Sequence, residues 1–241
     1  FLCMRPARHY FYYHWQHHKY TGNVKLDSEL QEGSFLDLPI DEPIGYVAYI
    51  TGIPFWIDAV STLCKHGWGS CPEIYLLTDK ARQEISREAR VYLMLYTLIA
   101  VLATTWRKIL IAPLLSLWVL PALLGQPFLR FYLLAEHRGR SINTPIIYEN
   151  TRTMSTNWLY DKLAWHMPYH MEHHAWPSVP FHKLRDAHEL LVNSSGDAGG
   201  VAILDRGEIY PEFHGGVGKS GYISFNYRFL RRLFQKKREK K

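Results

Sequence analysis

Two segments of this chain share the pattern His-x-x-His-His: His14-Trp15-Gln16-His17-His18 and His170-Met171-Glu172-His173-His174. On a helix, residues at i, i+3 and i+4 lie on one face, so each copy directs three imidazoles into the same space. A single histidine is ordinarily a surface residue or a hydrogen-bonded core residue. Two clusters with identical internal spacing, far apart in the chain, point instead to a polyhistidine metal site. No thiolate set competes, because Cys3, Cys64 and Cys71 form no Cys-x-x-Cys pair. An imidazole set without thiolates suits iron, zinc, copper or nickel.

The remaining histidines carry less chemistry. His9, His66, His182, His188 and His214 lack cluster spacing and are read as structural or exposed. His188-Glu189 is followed by Leu190-Leu191-Val192, so no HExxH zinc-protease helix is present. Gly218-Lys219-Ser220 resembles the end of a phosphate-binding loop, but Phe213 stands where that loop needs glycine, which excludes nucleotide binding there.

The elements that must position the clusters are helical and partly membrane-embedded. The chain has 241 residues, 47% hydrophobic and 15% aromatic, and its apolar residues are concentrated. Val91 to Trp106 and Ile109 to Leu124 contain no charged residue and are separated only by Arg107-Lys108. Each is shorter than the ~20 residues that usually span a bilayer. Together they read as a short helical hairpin that crosses and returns, with Pro113 and Pro121 tolerated where neighbouring groups satisfy the freed carbonyls. Gly45 to Cys64 is also apolar, but Gly52, Pro54 and Asp58 make it an interfacial or re-entrant helix. Parity agrees, since two His clusters in one site require an even number of crossings between them.

Charge assigns the side. Lys80, Arg82, Arg87 and Arg90 precede the hairpin and Arg130, Arg138 and Arg140 follow it, against Arg107 and Lys108 at the far turn. The positive-inside tendency places the clusters in the cytoplasm. An unpaired number of cysteines fits a reducing compartment. Asp27 to Pro43 is an acidic connector expected to be a solvated loop, and residues 192–221 are expected to form a cytosolic cap. The basic C-terminus, Asn226 to Lys241, has Tyr227, Leu230 and Phe234 on one stripe that could lie on anionic headgroups, or fray. The net charge of +6 comes largely from this tail and does not argue for nucleic acid.

The expected fold class is therefore all-α: a membrane helical bundle with a short transmembrane hairpin, an interfacial helix and a cytosolic histidine-rich cap. One domain is expected over 1–241, with the first His cluster and connector in 1–44, membrane segments in 45–125 and the cap with the second cluster in 126–241.

His14 to His18, together with Trp165-His166-Met167-Pro168-Tyr169-His170-Met171-Glu172-His173-His174-Ala175-Trp176-Pro177-Ser178-Val179-Pro180-Phe181, resembles the second and third histidine boxes of the membrane fatty acid desaturase family. Leu134-Ala135-Glu136-His137, followed by Asn150-Thr151-Arg152-Thr153, is similar to bacterial-type members. The resemblance implies a non-haem di-iron oxidoreductase that uses O₂ and two electrons to remove hydrogens from an acyl chain. It implies iron ligands at His14, His17, His18, His170, His173 and His174, with His137 as the family's isolated extra histidine. His166 occupies a position where many relatives have asparagine, and is either a further ligand or a residue behind the ligands. Glu136 and Glu172 are candidates to orient metal-bound imidazoles, by adjacency.

The implied partners are an acyl lipid or acyl thioester, membrane lipids, and an electron donor that is a ferredoxin or a small haem cytochrome. The implied location is a bacterial inner membrane or the endoplasmic reticulum. The family's first histidine box does not precede His14, so the expectation is a C-terminal portion that alone is inactive or binds iron weakly. Two other functions fit the residues: a hydroxylase or ketolase of the same superfamily acting on a carotenoid, alkane or other apolar molecule, and a non-redox membrane zinc protein.

Overall fold

The computed structural model describes residues 3–31, 39–195 and 221–239. The cap expected at 192–221, Gly218-Lys219-Ser220 and His214 fall wholly or mostly outside them. Helix is the dominant structure, and no strand occurs among the described residues. The chain divides into two compact units, residues 1–17 with 31–130 and residues 18–30 with 131–241.

The first unit holds most of α1 (Ala7–Tyr20), then α3 (Pro43–Thr51), α4 (Ile53–Gly67) and α5 (Asp79–Thr105); the short α2 (Ser28–Gln31) falls almost entirely in the second. Proline at the first turn starts α3, where the missing N–H costs nothing. Gly52 closes it at φ 70°, a left-handed conformation that glycine adopts without a Cβ penalty, and α4 leaves at a bend of 59°. Thr78 caps α5, its hydroxyl accepting from the Ala81 N–H at 3.1 Å, and Asp79 in the first turn complements the helix dipole. The core of this unit is built from Cys71, Leu76 and Ile85 with Tyr12 and Tyr75 against them. The first turn of α1 is capped from a distance: the Ala7 and Arg8 amides donate to the Glu88 carboxylate at 3.2 and 2.8 Å. Those amides have no partner inside their own helix, and the negative charge favours that end.

Helix α6 (Arg107–Leu114), a π-helical turn (Leu115–Val119) and α7 (Leu120–His137) follow. They form one apolar helix, Arg107–His137, of 31 residues, while α5 has 27. At 1.5 Å per residue these reach about 46 and 40 Å, enough to cross a bilayer. Only 6% of the apolar window in each is buried, and Met94, Leu98, Ile109, Leu117 and Phe128 lie exposed on their outer faces. The expected hairpin is thus present, with longer arms because the helices continue into the charged flanks. The bent pair α3–α4 is either a broken third span or a re-entrant element by length and composition.

The second unit contains the end of α1, the C-terminal turns of α7, and α8 (Ile147–Asn150), α9 (Trp158–Leu163), α10 (His170–Ala175), α11 (Leu184–Ser195) and α12 (Tyr222–Glu239). Asn157 caps α9 through its side-chain oxygen, which accepts from the Tyr160 N–H at 2.9 Å. The segment after α8 is extended and buried, and it ties α7 to the chain before α10. The Arg152 N–H donates to the Glu136 carbonyl and the Met154 N–H to the Pro168 carbonyl, each at 2.9 Å. The fully buried Arg152 guanidinium lies over the Phe225 ring, 4.7 Å from its centroid, and donates to the Arg138 carbonyl at 3.0 Å.

One expectation changes here. Asp27 and Ser28 are buried, so the start of the acidic connector is not a solvated loop. Asp27 accepts from the Gly22 and Glu29 amides at 2.7 and 2.9 Å and acts as the closing staple of a turn. In α12 the buried stripe is Tyr222, Phe225, Phe229 and Leu233, whereas Tyr227 and Phe234 are exposed. The helix is docked on its unit, with the Asn226 amide donating to the Phe131 carbonyl at 2.9 Å.

Candidate metal centre

In the second unit three imidazoles converge. His137 stands on the last turn of α7, and His170 and His174 are one turn apart on α10. His137 Nε2 lies 2.9 Å from His170 Nε2, and His174 Nε2 lies 3.1 Å from the same atom. Possible ligand atoms of all three fall within 4.8 Å of one another. His18, near the end of α1, brings its Nε2 to 3.0 Å from His173 Nε2 and stacks on the His174 ring at 4.3 Å.

The outer nitrogens define the chemistry of the inner ones. A carbonyl only accepts, so His137 Nδ1, 3.1 Å from the Asn150 carbonyl oxygen, carries that ring's proton. Its Nε2 therefore presents a lone pair to the cluster. Thr21 works in the same way: its hydroxyl donates to the His18 carbonyl at 3.3 Å and meets His174 Nδ1 at 3.0 Å. With its own proton so placed, the hydroxyl accepts from Nδ1–H and leaves His174 Nε2 as a lone pair. Glu136, fully buried, approaches His170 Nδ1 at 3.4 Å. One proton on His170 Nε2 cannot bridge fully to both the His137 and the His174 nitrogens, which lie 2.9 and 3.1 Å from it. A cation can: ligands 2.0–2.1 Å from a metal at right angles are separated by roughly 3 Å. The donor set fits a metal ion on its geometry as well as its composition.

His14 and His17 belong to the first unit. They stand on α1 one turn apart, with ring centroids at 6.1 Å, and the helix runs unbroken to His18 so the three keep a common face. His14 also stacks on Tyr10 at 5.1 Å, and His17 is buried. His166 is held elsewhere: its Nδ1 lies 2.8 Å from Asp161 Oδ2, on a backbone with φ 57°. Glu172, one of two carboxylates expected to orient a ligand, instead accepts from the Thr153 hydroxyl at 2.7 Å and pairs with His188 Nδ1 at 2.6 Å. His188 is thus not a bystander but the anchor of Glu172 from α11.

The structure adds residues that spacing did not single out. Thr21 and the Asn150 carbonyl orient imidazoles, and Gly22, at φ 76°, lets the chain turn beside Asn150, whose side-chain amide donates to the Thr21 carbonyl at 3.0 Å. A Cβ on Gly22 would stand 3.2 Å from Asn150 Cβ. In the first unit His9 and His66, expected to be isolated, come together with Glu73. Burial and then the neighbouring His66 push His9 down to about 3.

The model of the fatty acid desaturase family matches residues 1–203 of this chain. No curated protein and no solved structure matches it.

Proposed function

The chain belongs to the fatty acid desaturase family, and from that premise we propose that it holds two iron ions and desaturates a fatty acyl chain. The observation that carries this is the convergence of His137, His170 and His174 through Nε2 atoms 2.9 and 3.1 Å apart, with proton-bearing nitrogens turned outward. His18 and His173 extend the set, and His14 and His17, on the face of α1 that carries His18, complete the proposed ligands. The site is proposed to face the cytoplasm.

The overall reaction balances as R–CH₂–CH₂–R′ + O₂ + 2e⁻ + 2H⁺ → R–CH=CH–R′ + 2H₂O, the electrons coming from a ferredoxin or small haem cytochrome. Bound iron supplies the activation of O₂ and the abstraction of hydrogen from unactivated carbon. The chain's own residues keep the site in order. Asn150 and Thr21 hold the His137 and His174 protons on the outer nitrogens, so the inner ones stay available as ligands. Burial of His137's partners His170 and His174 excludes bulk water from the cluster. Helix α5 and Arg107–His137 are long and apolar enough to cross a membrane, and lipid is where an acyl substrate is dissolved.

The test is fatty acid analysis of membranes from cells expressing the gene that encodes this chain, with iron content of the purified protein. A new unsaturated acyl product that requires O₂, and is lost together with iron in His170→Ala, is expected. A product that retains oxygen instead would make it a hydroxylase. Zinc in place of iron with no O₂ consumption would overturn the redox reading.

A further inference from the structure

A second group of metal-ligating side chains lies inside the first unit and shares no residue with the proposed iron ligands. His9 comes from the first turn of α1, His66 from the last turn of α4, and Glu73 from the connection to α5. His9 and His66 are buried, and their rings meet edge-on with centroids 4.6 Å apart. His66 Nε2 is 2.7 Å from Glu73 Oε1, and His9 Nε2 shares a 2.8 Å hydrogen bond with the Tyr75 hydroxyl. One possible ligand atom from each of His9, His66 and Glu73 lies within 4.8 Å of the other two.

A hydrogen-bond network alone leaves this cluster incomplete. If His66 Nε2–H donates to Glu73 Oε1, then His66 Nδ1 and Glu73 Oε2 are two buried acceptors. Neither has a hydrogen-bond partner among the described residues. Buried acceptors without donors are costly, and the carboxylate's charge needs a counter-charge. Arg5, whose charge acts on His9, pairs with Asp58 at 3.5 Å and lies over the Tyr13 and Phe55 rings. A divalent cation in place of the proton between His66 Nε2 and Glu73 supplies that counter-charge, taking imidazole nitrogen and carboxylate oxygen. It moves the ring proton to Nδ1, which is then no longer an unmet acceptor. Two imidazoles and one carboxylate are a ligand set that zinc and its neighbours accept.

The geometry points to a separate divalent transition-metal site formed by His9, His66 and Glu73, for which zinc is the natural probe. Its position gives it a structural role. The ion clasps the start of α1, the end of α4 and the chain before α5, and so anchors the helix whose far end carries His14, His17 and His18. The site shares no ligand with the proposed iron centre and does not depend on it.

The experiment uses the purified full chain in detergent, stripped of metal and titrated with zinc alone, reading equivalents bound and the thermal midpoint. The parent is expected to bind one more zinc per chain than Glu73→Gln. The zinc-dependent rise in midpoint that this extra equivalent brings is expected to be absent from the variant. Metal-free parent and variant serve as the fold control. Should Glu73→Gln not fold, His9→Gln, which keeps an amide to meet Tyr75, is read in the same way. Equal zinc equivalents in parent and variant would overturn the site, as would a loss of stability in Glu73→Gln that is the same with and without zinc. His170→Ala, titrated in parallel, reports the other cluster: loss there with none in Glu73→Gln would sink this site and leave the first intact.

Discussion

At the residue scale, the direction of each imidazole is governed by the group behind it. His137 is oriented by a backbone carbonyl that no side-chain substitution removes. His174 depends on the Thr21 hydroxyl, and Thr21 is therefore a positioning residue. Thr21→Val keeps the shape and deletes the acceptor. It is expected to weaken metal binding about 10–100-fold, the usual cost of losing such a partner. Thr21→Ser should restore the binding, and competition with a chelator of known affinity measures both. If valine and serine weaken binding equally, packing and not the hydroxyl is what matters there. The His-x-x-His-His spacing made the ligand types legible because helical periodicity is local. Thr21 was not legible, since a threonine followed by glycine looks like any helix end.

At the element scale, bends and caps set where the helices point. Gly52 joins α3 to α4 with positive φ, and a Cβ there would come within 2.5 Å of Gln126 Cβ. Gly52→Ala thus meets both backbone strain and a clash. A loss of about 1–3 kcal/mol is expected from the strain alone, read as a lower thermal midpoint in detergent. An unchanged midpoint would mean that the bend has no fixed angle. Helix α12 shows what periodicity can miss. Its sequence offers two apolar stripes, and the structure buries the one with Phe225 and Phe229 while Tyr227 and Phe234 stay exposed. Phe229→Ala should cost about 3–5 kcal/mol, whereas Phe234→Ala should change stability little; denaturant titration of the two variants checks the assignment.

At the scale of the whole molecule, two helices are long and apolar enough to cross a membrane, and the break between them at Trp106 is the far turn. Cysteines placed at Lys108 and at Lys80 should react with a membrane-impermeant thiol reagent from opposite sides, with Lys80 on the cytoplasmic face. Labelling of both from one side would remove the hairpin. Labelling from the reverse sides would invert the proposed orientation.

Sequence by itself determined the helical class, the apolar hairpin and the histidines that could ligate, because each is written in local spacing or in a run of apolar residues. It did not determine which carboxylate serves which histidine. Glu136 and Glu172 are both sequence neighbours of candidate ligands, yet one lies near His170 and the other turns to Thr153 and His188. Nor did it join His9 and His66 to Glu73, since those residues meet only when the start of α1 packs against the end of α4. Such pairings belong to tertiary structure for a physical reason. A side chain's hydrogen-bond partner is chosen by how elements pack in three dimensions, and no periodicity along the chain encodes that choice.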